Sequence, residues 1–235
     1  MPDPGSYSQN MLLCAITERR LLAEPEQQRR EALLALVRRW ARGGVDYIQI
    51  REKDLAPGDL LSLASALIAA VRDEQSGSRA QSGSSVQRTK VLLNGSPEIA
   101  LEANADGVHL PGNAAAGAAA AAREIFARAG REAIVSRACH SAEEASEAEN
   151  GDGAAALLLF APVYEKSLAG KEAIAGQGLN ALADACRAAR NTPVLALGGI
   201  TTRNAPACIE AGARGIAAIR LFLTDDWQKL RRPDL

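Results

Sequence analysis

The sequence predicts a single (β/α)8 TIM barrel spanning residues 1–235. Three observations carry that reading. Short apolar runs alternate with longer stretches of helical periodicity along the chain. Runs such as Leu157-Leu-Leu-Phe160 are apolar throughout, which means burial on both faces and suits an all-parallel sheet. Eight strand–helix units fit this length, and no GxGxxG follows any strand, so a closed barrel is favoured over an open dinucleotide-binding sheet.

The elements follow in order. Met11–Thr17 is the first strand, and Glu26–Arg42 a helix with Leu33, Leu34, Val37 and Trp40 at helical spacing, stopped by Gly43-Gly44. Tyr47–Lys53 is the second strand. Pro57–Arg72 is a helix with proline in its first turn. Residues 75–89 are rich in Ser, Gly and Gln and read as a flexible surface insertion rather than a domain boundary, since the alternation resumes after them. Strands follow at Val91–Asn94, Gly107–Leu110, from Ala133, at Ala156–Phe160, Pro193–Leu197 and Gly215–Ile219. The intervening helices are Pro97–Ala103, the alanine-rich Ala114–Ala129, Ala142–Glu149, Leu179–Arg190 and Asn204–Ala211, with Thr224–Arg231 closing the chain. Ser141-Ala-Glu-Glu144 has the form of a capping box.

Composition narrows the function. The formal charge is −1, with 27 Lys and Arg against 28 Asp and Glu, which argues against nucleic acid as a partner and leaves no polybasic patch for a membrane. Aromatics are only 3%, so the core is aliphatic and stacking surfaces are not expected. The longest apolar run is too short to span a bilayer, and the first ten residues lack the basic region of a signal peptide. Four cysteines without CxxC or metal-ligand spacing read as reduced thiols, giving a cytoplasmic expectation.

In such a barrel, chemistry collects at the C-terminal ends of strands. The polar residues there are Gln49, Arg51 and Lys53 on the second strand, Asn94 on the third, His109 on the fourth, and Arg137 and His140 around the end of the fifth. Gln49, Arg51 and Lys53 alternate and share one face, where two cations suit a phosphate or carboxylate. The plain alternative is a solvated strand end paired with Glu52 or Asp54. Gly198-Gly199 ends the seventh strand, where backbone N–H groups can approach a phosphate, and Gly176 and Gly178 are placed to close the same site. Glycine also serves plain turns. Arg220 ends the eighth strand. His140 precedes the helix cap Ser141, a place that favours an uncharged imidazole able to move protons either way. Its structural alternative is a capping-region histidine. His109, in apolar surroundings, reads as a core residue.

The ordered set QIREKD (Gln49–Asp54), LLNG (Leu92–Gly95), ADGVHLP (Ala105–Pro111), CHSAEEA (Cys139–Ala145), FAPVYE (Phe160–Glu165), LALGGI (Leu195–Ile200) and AGARGIAAI (Ala211–Ile219) resembles the thiamin phosphate synthase/TenI superfamily. The resemblance spans residues 11–223 and implies a TIM barrel, a thiazole phosphate ligand and a place in thiamin biosynthesis. The superfamily holds two activities. The synthase joins a pyrimidine pyrophosphate to thiazole phosphate with Mg²⁺ on the diphosphate. The TenI-type tautomerase moves a proton on thiazole phosphate carboxylate and needs no metal.

Departures from the synthase pattern point to the tautomerase branch. Gly95 and Ala114 stand where the synthase has aspartates, Ala138 where it has a serine, and residues 165–171 replace its Thr-x-Thr-Lys loop. Asn94-Gly95, Leu110-Pro111, Arg137 and His140-Ser-x-Glu-Glu-Ala145 look like TenI. Arg220 departs from both branches, which usually carry serine. The resemblance therefore implies His140 as acid/base, Gln49, Arg51, Lys53, Asn94 and Arg137 as substrate-binding, and Gly176, Gly178, Gly198, Gly199 and Arg220 as phosphate-binding. It implies no cofactor, or Mg²⁺ under the synthase alternative. A third reading is a non-catalytic regulator that binds thiazole or thiamin phosphates. A homo-oligomer is compatible with each.

Overall fold

A computed structural model describes residues 11–22, 24–82, 88–150, 154–165 and 174–231, with 78–82 as backbone only. Eight parallel strands close into a barrel in chain order. They are β1 (Leu12–Ile16), β2 (Tyr47–Ile50), β3 (Lys90–Asn94), β4 (Gly107–Leu110), β5 (Ile134–Cys139), β6 (Leu157–Phe160), β7 (Val194–Leu197) and β8 (Gly215–Ala218). The helices are α1 (Glu26–Arg42), α2 (Pro57–Ser82), α3 (Pro97–Glu102), α4 (Ala118–Arg128), α5 (Ala142–Asn150), α6 (Gly178–Ala188) and α7 (Ala205–Glu210). Among the described residues, no helix is long and apolar enough to cross a membrane. All four cysteines are free thiols.

Backbone contacts divide the chain into two compact units. One comprises Ala15–His109 with Ala122–Ile134. Its strands β2, β3 and β4 run in register, with Ile48 opposite Val91, Leu93 opposite Val108 and Asn94 opposite His109. The Asp106 carboxylate ties two elements together: it accepts from Arg72 of α2 at 2.5 Å and from the Val91 N–H at 2.7 Å. The other unit comprises Leu110–Ala121 and the chain from Val135 onward, with the segment ending at Cys14. Its strands β5 to β8 pair Cys139 with Phe160, Phe160 with Ala196 and Leu197 with Ala217. The strand interiors are aliphatic, and Leu13, Ile48, Leu93, Val108, Leu158, Leu195 and Ile216 are fully buried.

Four helices end by one device. After α1, α3, α4 and α7 a residue in the left-handed region, Gly44, Asn104, Gly130 or Gly212, turns the chain. The next N–H then reaches back five residues: Val45 to Trp40, Ala105 to Ala100, Arg131 to Phe126 and Ala213 to Cys208. This paired closure satisfies the last helical carbonyls.

Three expectations need correction. Helix α2 runs to Ser82, so residues 75–82 are helical where a flexible insertion was expected. Just before them Glu74 accepts from Arg42 of α1 at 2.8 and 2.9 Å. Residues 83–87 of that insertion lie outside the described residues, as do 166–171 of the loop that replaces the synthase motif. Thr89, its last residue, is buried and donates to the Val45 carbonyl at 2.7 Å. The final helix is instead two 3-10 turns, Arg220–Leu223 and Asp226–Leu230, pinned by buried Phe222 and Trp227 with rings 5.6 Å apart. Helix α4 begins at Ala118 rather than Ala114.

Two strands open on glycine for a shared reason. A Cβ at Gly107 would lie 1.8 Å from the Ile134 carbonyl oxygen, and one at Gly215 2.0 Å from the Leu12 oxygen. We expect Gly107→Ala to destabilise by about 1–3 kcal/mol or more, since backbone cannot yield as a side chain can. Gly58→Ala, whose Cβ would enter open space, should be neutral or stabilising. Urea midpoints at constant m-value decide it; equal midpoints for the two variants contradict the packing argument.

Candidate functional site

The polar residues after β2 are held by the loop after β1. The Thr17 N–H donates to the Gln49 carbonyl at 2.9 Å, and the Arg51 N–H donates to Thr17 Oγ1 at 2.9 Å. The Gln49 side chain is buried and its Nε2 donates to Asn94 Oδ1 at 3.2 Å. Its Oε1 is buried with no hydrogen-bond partner among the described residues. A buried acceptor left open is costly, so a ligand donor at this atom would be favourable.

Arg51 is half-buried, and its Nη1 donates to Glu18 at 3.1 Å. The expected alternatives, Glu52 and Asp54, are occupied elsewhere. Arg19 is nearly buried. Its backbone N–H donates to both oxygens of Glu52 at 3.2 and 3.1 Å, and its guanidinium reaches Asp54 at 2.7 Å and Glu26 at 2.8 Å. The hydrogen bond from Arg19 holds the Asp54 carboxyl below the ordinary carboxylate range, while burial pushes Glu52 up. Sequence reasoning missed this cluster; its signal was the Thr17-Glu-Arg-Arg20 charge run directly after an apolar strand. Lys53 is exposed in the following turn.

His109 is 5% exposed on β4. Burial, and then the charges of Arg51 and Lys53, lower its pKa to about 4. It is therefore a neutral core histidine under ordinary conditions, and it reports that both cations lie within electrostatic reach.

The second set surrounds His140, exposed directly after β5. One arm of the capping box forms, Ser141 Oγ accepting from the Glu144 N–H at 3.2 Å, while the Glu144 carboxylate reaches one residue further back and accepts from the His140 N–H at 2.8 Å. The ring Nδ1 lies 2.6 Å from the Ala161 carbonyl oxygen. A carbonyl only accepts, so Nδ1 carries the proton and Nε2 carries the lone pair of the neutral ring. Gln177 Nε2 donates to the same carbonyl at 3.1 Å. Arg137, half-buried on β5, donates from Nη2 to the Gly112 carbonyl at 3.1 Å. Cys139 beside His140 is buried and its thiol is pushed up to about 12 by that burial, so it is an inert neighbour.

The four glycines converge on the segment Pro162–Glu165. A Cβ would fall 2.7 Å from Pro162 at Gly198, 2.6 Å from the Glu165 carbonyl oxygen at Gly199, and 2.5 Å from the Val163 carbonyl oxygen at Gly176. The Gly178 N–H donates to the Val163 carbonyl at 2.9 Å as α6 begins. Close backbone packing thus requires glycine here independently of any ligand. Asn204, also missed, fixes the loop: its Nδ2 donates to the Gly199 carbonyl at 3.0 Å and its Oδ1 accepts from the Thr201 N–H at 2.8 Å. Arg220 is exposed and opens a 3-10 turn beyond the end of β8.

A family model described as thiamine monophosphate synthase, TMP-TENI, matches residues 13–222. The chain belongs to that family. A thiamine-phosphate synthase from Chlorobium luteolum is 35% identical over 79% of this chain and 77% of its own length. One from Roseiflexus is 31% identical over 88% of this chain and 76% of its own. Among solved structures, thiamine phosphate pyrophosphorylase from Pyrococcus furiosus matches with a TM-score of 0.69 at 25% identity, covering 95% of this chain and 93% of that one.

Mg²⁺, which the synthase branch of the TMP-TENI family implies, fits this donor set poorly. It takes hard oxygen ligands in a strict octahedron. Gly95 and Ala114 offer none, Asn94 Oδ1 already accepts from Gln49, and Glu52 and Asp54 are bonded to Arg19. Among the described residues no group of three His, Cys, Asp or Glu is placed to hold a metal.

The state of His109 has a measurable consequence. The unfolded imidazole protonates near 6.5 and the folded one only near 4, so the unfolded chain binds more protons in that interval. Stability should fall as pH drops from about 6.5 to 4, by up to about 1.4 kcal/mol per pH unit from this group. His109→Gln should lose that part of the slope. An unchanged slope in the variant contradicts the neutral core assignment.

Proposed function

We propose that this protein is a TenI-type thiazole tautomerase, a thiamin-biosynthesis enzyme that converts thiazole phosphate carboxylate to its aromatic tautomer without a metal. The observation that carries the reading is His140, whose Nδ1–H rests on the Ala161 carbonyl and leaves Nε2 to receive a proton. Nε2 takes a proton from the substrate ring, and the resulting imidazolium keeps its Nδ1 bond. The same proton returns to a second position of the substrate, so the reaction is a net isomerisation with no external donor. Arg137 stands by to meet an anionic group. The backbone N–H groups of Gly198 and Gly199, with Arg220, hold the phosphate, while Gly176 and Gly178 shape the loop by packing on Val163.

The names of the relatives favour a second reading, condensation of hydroxymethylpyrimidine pyrophosphate with thiazole phosphate. Two assays separate them: isomerisation of thiazole phosphate carboxylate, and condensation of both synthase substrates with and without Mg²⁺. We expect the first to proceed. His140→Asn should lower it by about 10²–10⁴-fold, the usual contribution of a general acid–base group, while thiazole phosphate still binds. Gly95→Asp with Ala114→Asp should be needed before Mg²⁺ stimulates condensation. Robust Mg²⁺-dependent condensation by the unmodified protein establishes the second reading instead.

A further inference from the structure

We propose that Gly112 is a positioning residue for His140, the residue whose missing side chain leaves room for the imidazole in its reactive tautomer. The catalytic consequence rests on the tautomerase reading; the placement of the ring does not. A Cβ at Gly112 would stand 3.0 Å from His140 Cδ2 and 3.1 Å from Nε2. Both distances are shorter than ordinary van der Waals contact between such atoms. A methyl at position 112 would require the ring to give by a few tenths of an ångström, against the 2.6 Å bond that holds Nδ1 on the Ala161 carbonyl. That displacement bears on the bond that selects the tautomer and on the edge that carries Nε2.

Three features separate this role from ordinary glycine use. Gly112 is not among the glycines with positive φ, so alanine suits its backbone. Its nearest neighbours are the imidazole atoms, whereas Gly107 and Gly215 meet backbone carbonyls. Its own carbonyl accepts from Arg137 at 3.1 Å, a bond that alanine retains. Gly112→Ala is thus a steric probe of one ring. The same short segment, by its carbonyl and by its missing Cβ, sets where the guanidinium and the imidazole stand.

The test reads the ring directly. The chain has only two histidines, so ¹⁵N spectra of the imidazoles are simple, and buried His109 serves as an internal reference. In the unmodified protein we expect His140 as the Nδ1–H tautomer, with a cross-relaxation contact from Gly112 Hα to His140 Hδ2. Gly112→Ala should mix or reverse the tautomer signal and lower kcat by about 10–10²-fold with KM nearly unchanged, as slight misplacement of a reacting group does. Gln177→Ala, which removes only the second donor to Ala161, should keep the tautomer. An unchanged imidazole spectrum in Gly112→Ala, or no contact between Gly112 and His140 in the unmodified protein, overturns the inference whatever the turnover. No turnover in an unmodified protein that shows both signals overturns the tautomerase reading and leaves the positioning role standing. Should Gly112→Ala fail to fold, the tautomer and the contact in the unmodified protein still decide.

Discussion

Closure of a parallel sheet on itself is the constraint from which the rest follows. Each strand must be reached by a helix that returns the chain to the same end, and each return must satisfy the helix's last carbonyls in very few residues. Gly44, Asn104, Gly130 and Gly212 do this with one left-handed turn each. Two of those returns lead straight into strands that open on Gly107 and Gly215, where backbone passes too close for any Cβ. The strands themselves are buried and aliphatic. Polar chemistry is thereby confined to strand ends and the loops beyond them.

The electrostatic work near β2 is done by residues that never need to touch a ligand. Arg19 and Glu52 are buried, and Arg19 also holds Asp54 and Glu26. A buried pair of this kind returns little net stability, because desolvation consumes most of the attraction, yet removing one partner costs about 3–5 kcal/mol. Its effect is geometric. By gripping Glu52 and Asp54 it fixes the residues flanking Lys53, and by occupying those acids it leaves Glu18 as the partner of Arg51. The Arg51 guanidinium is therefore held in one orientation, by Glu18 at 3.1 Å.

Much of this was legible in the residues. The strands declared themselves as apolar runs, Ser141 capped the Glu144 N–H as its spacing implied, and Gly43-Gly44 stopped α1. What failed was composition. Residues 75–82 look like a linker, but α2 continues through them to Ser82. Thr224–Arg231 looks helical, but burial of Phe222 and Trp227 forces tighter turns. The glycines were ambiguous for a deeper reason. A glycine reads in sequence only as a missing side chain, and the space it frees can be filled by a ligand or by backbone. At Gly176, Gly198 and Gly199 backbone fills it. Arg19 was missed because its main partner, Glu52, lies 33 residues away, and Asn204 because its role is to hold the local loop from Gly199 to Thr201 rather than to line a strand end.

The same ambiguity sharpens the case of His140. An imidazole at a strand end has two tautomers and free rotation, and one hydrogen bond usually selects the first without settling the second. Here the imidazole follows β5, the carbonyl that selects its tautomer follows β6, and the glycine that admits its other edge follows β4. Three consecutive strand ends thus define one ring from both sides. Ala161 contributes only a carbonyl and Gly112 only a vacancy, so neither would attract notice as a polar residue. The orientation of the ring then depends on backbone placement, which the parallel strands supply because they are laterally locked in register. The placement of the His140 ring is in that sense a property of the strand register, and a change in spacing near any of the three strand ends should reach the ring before it reaches the core.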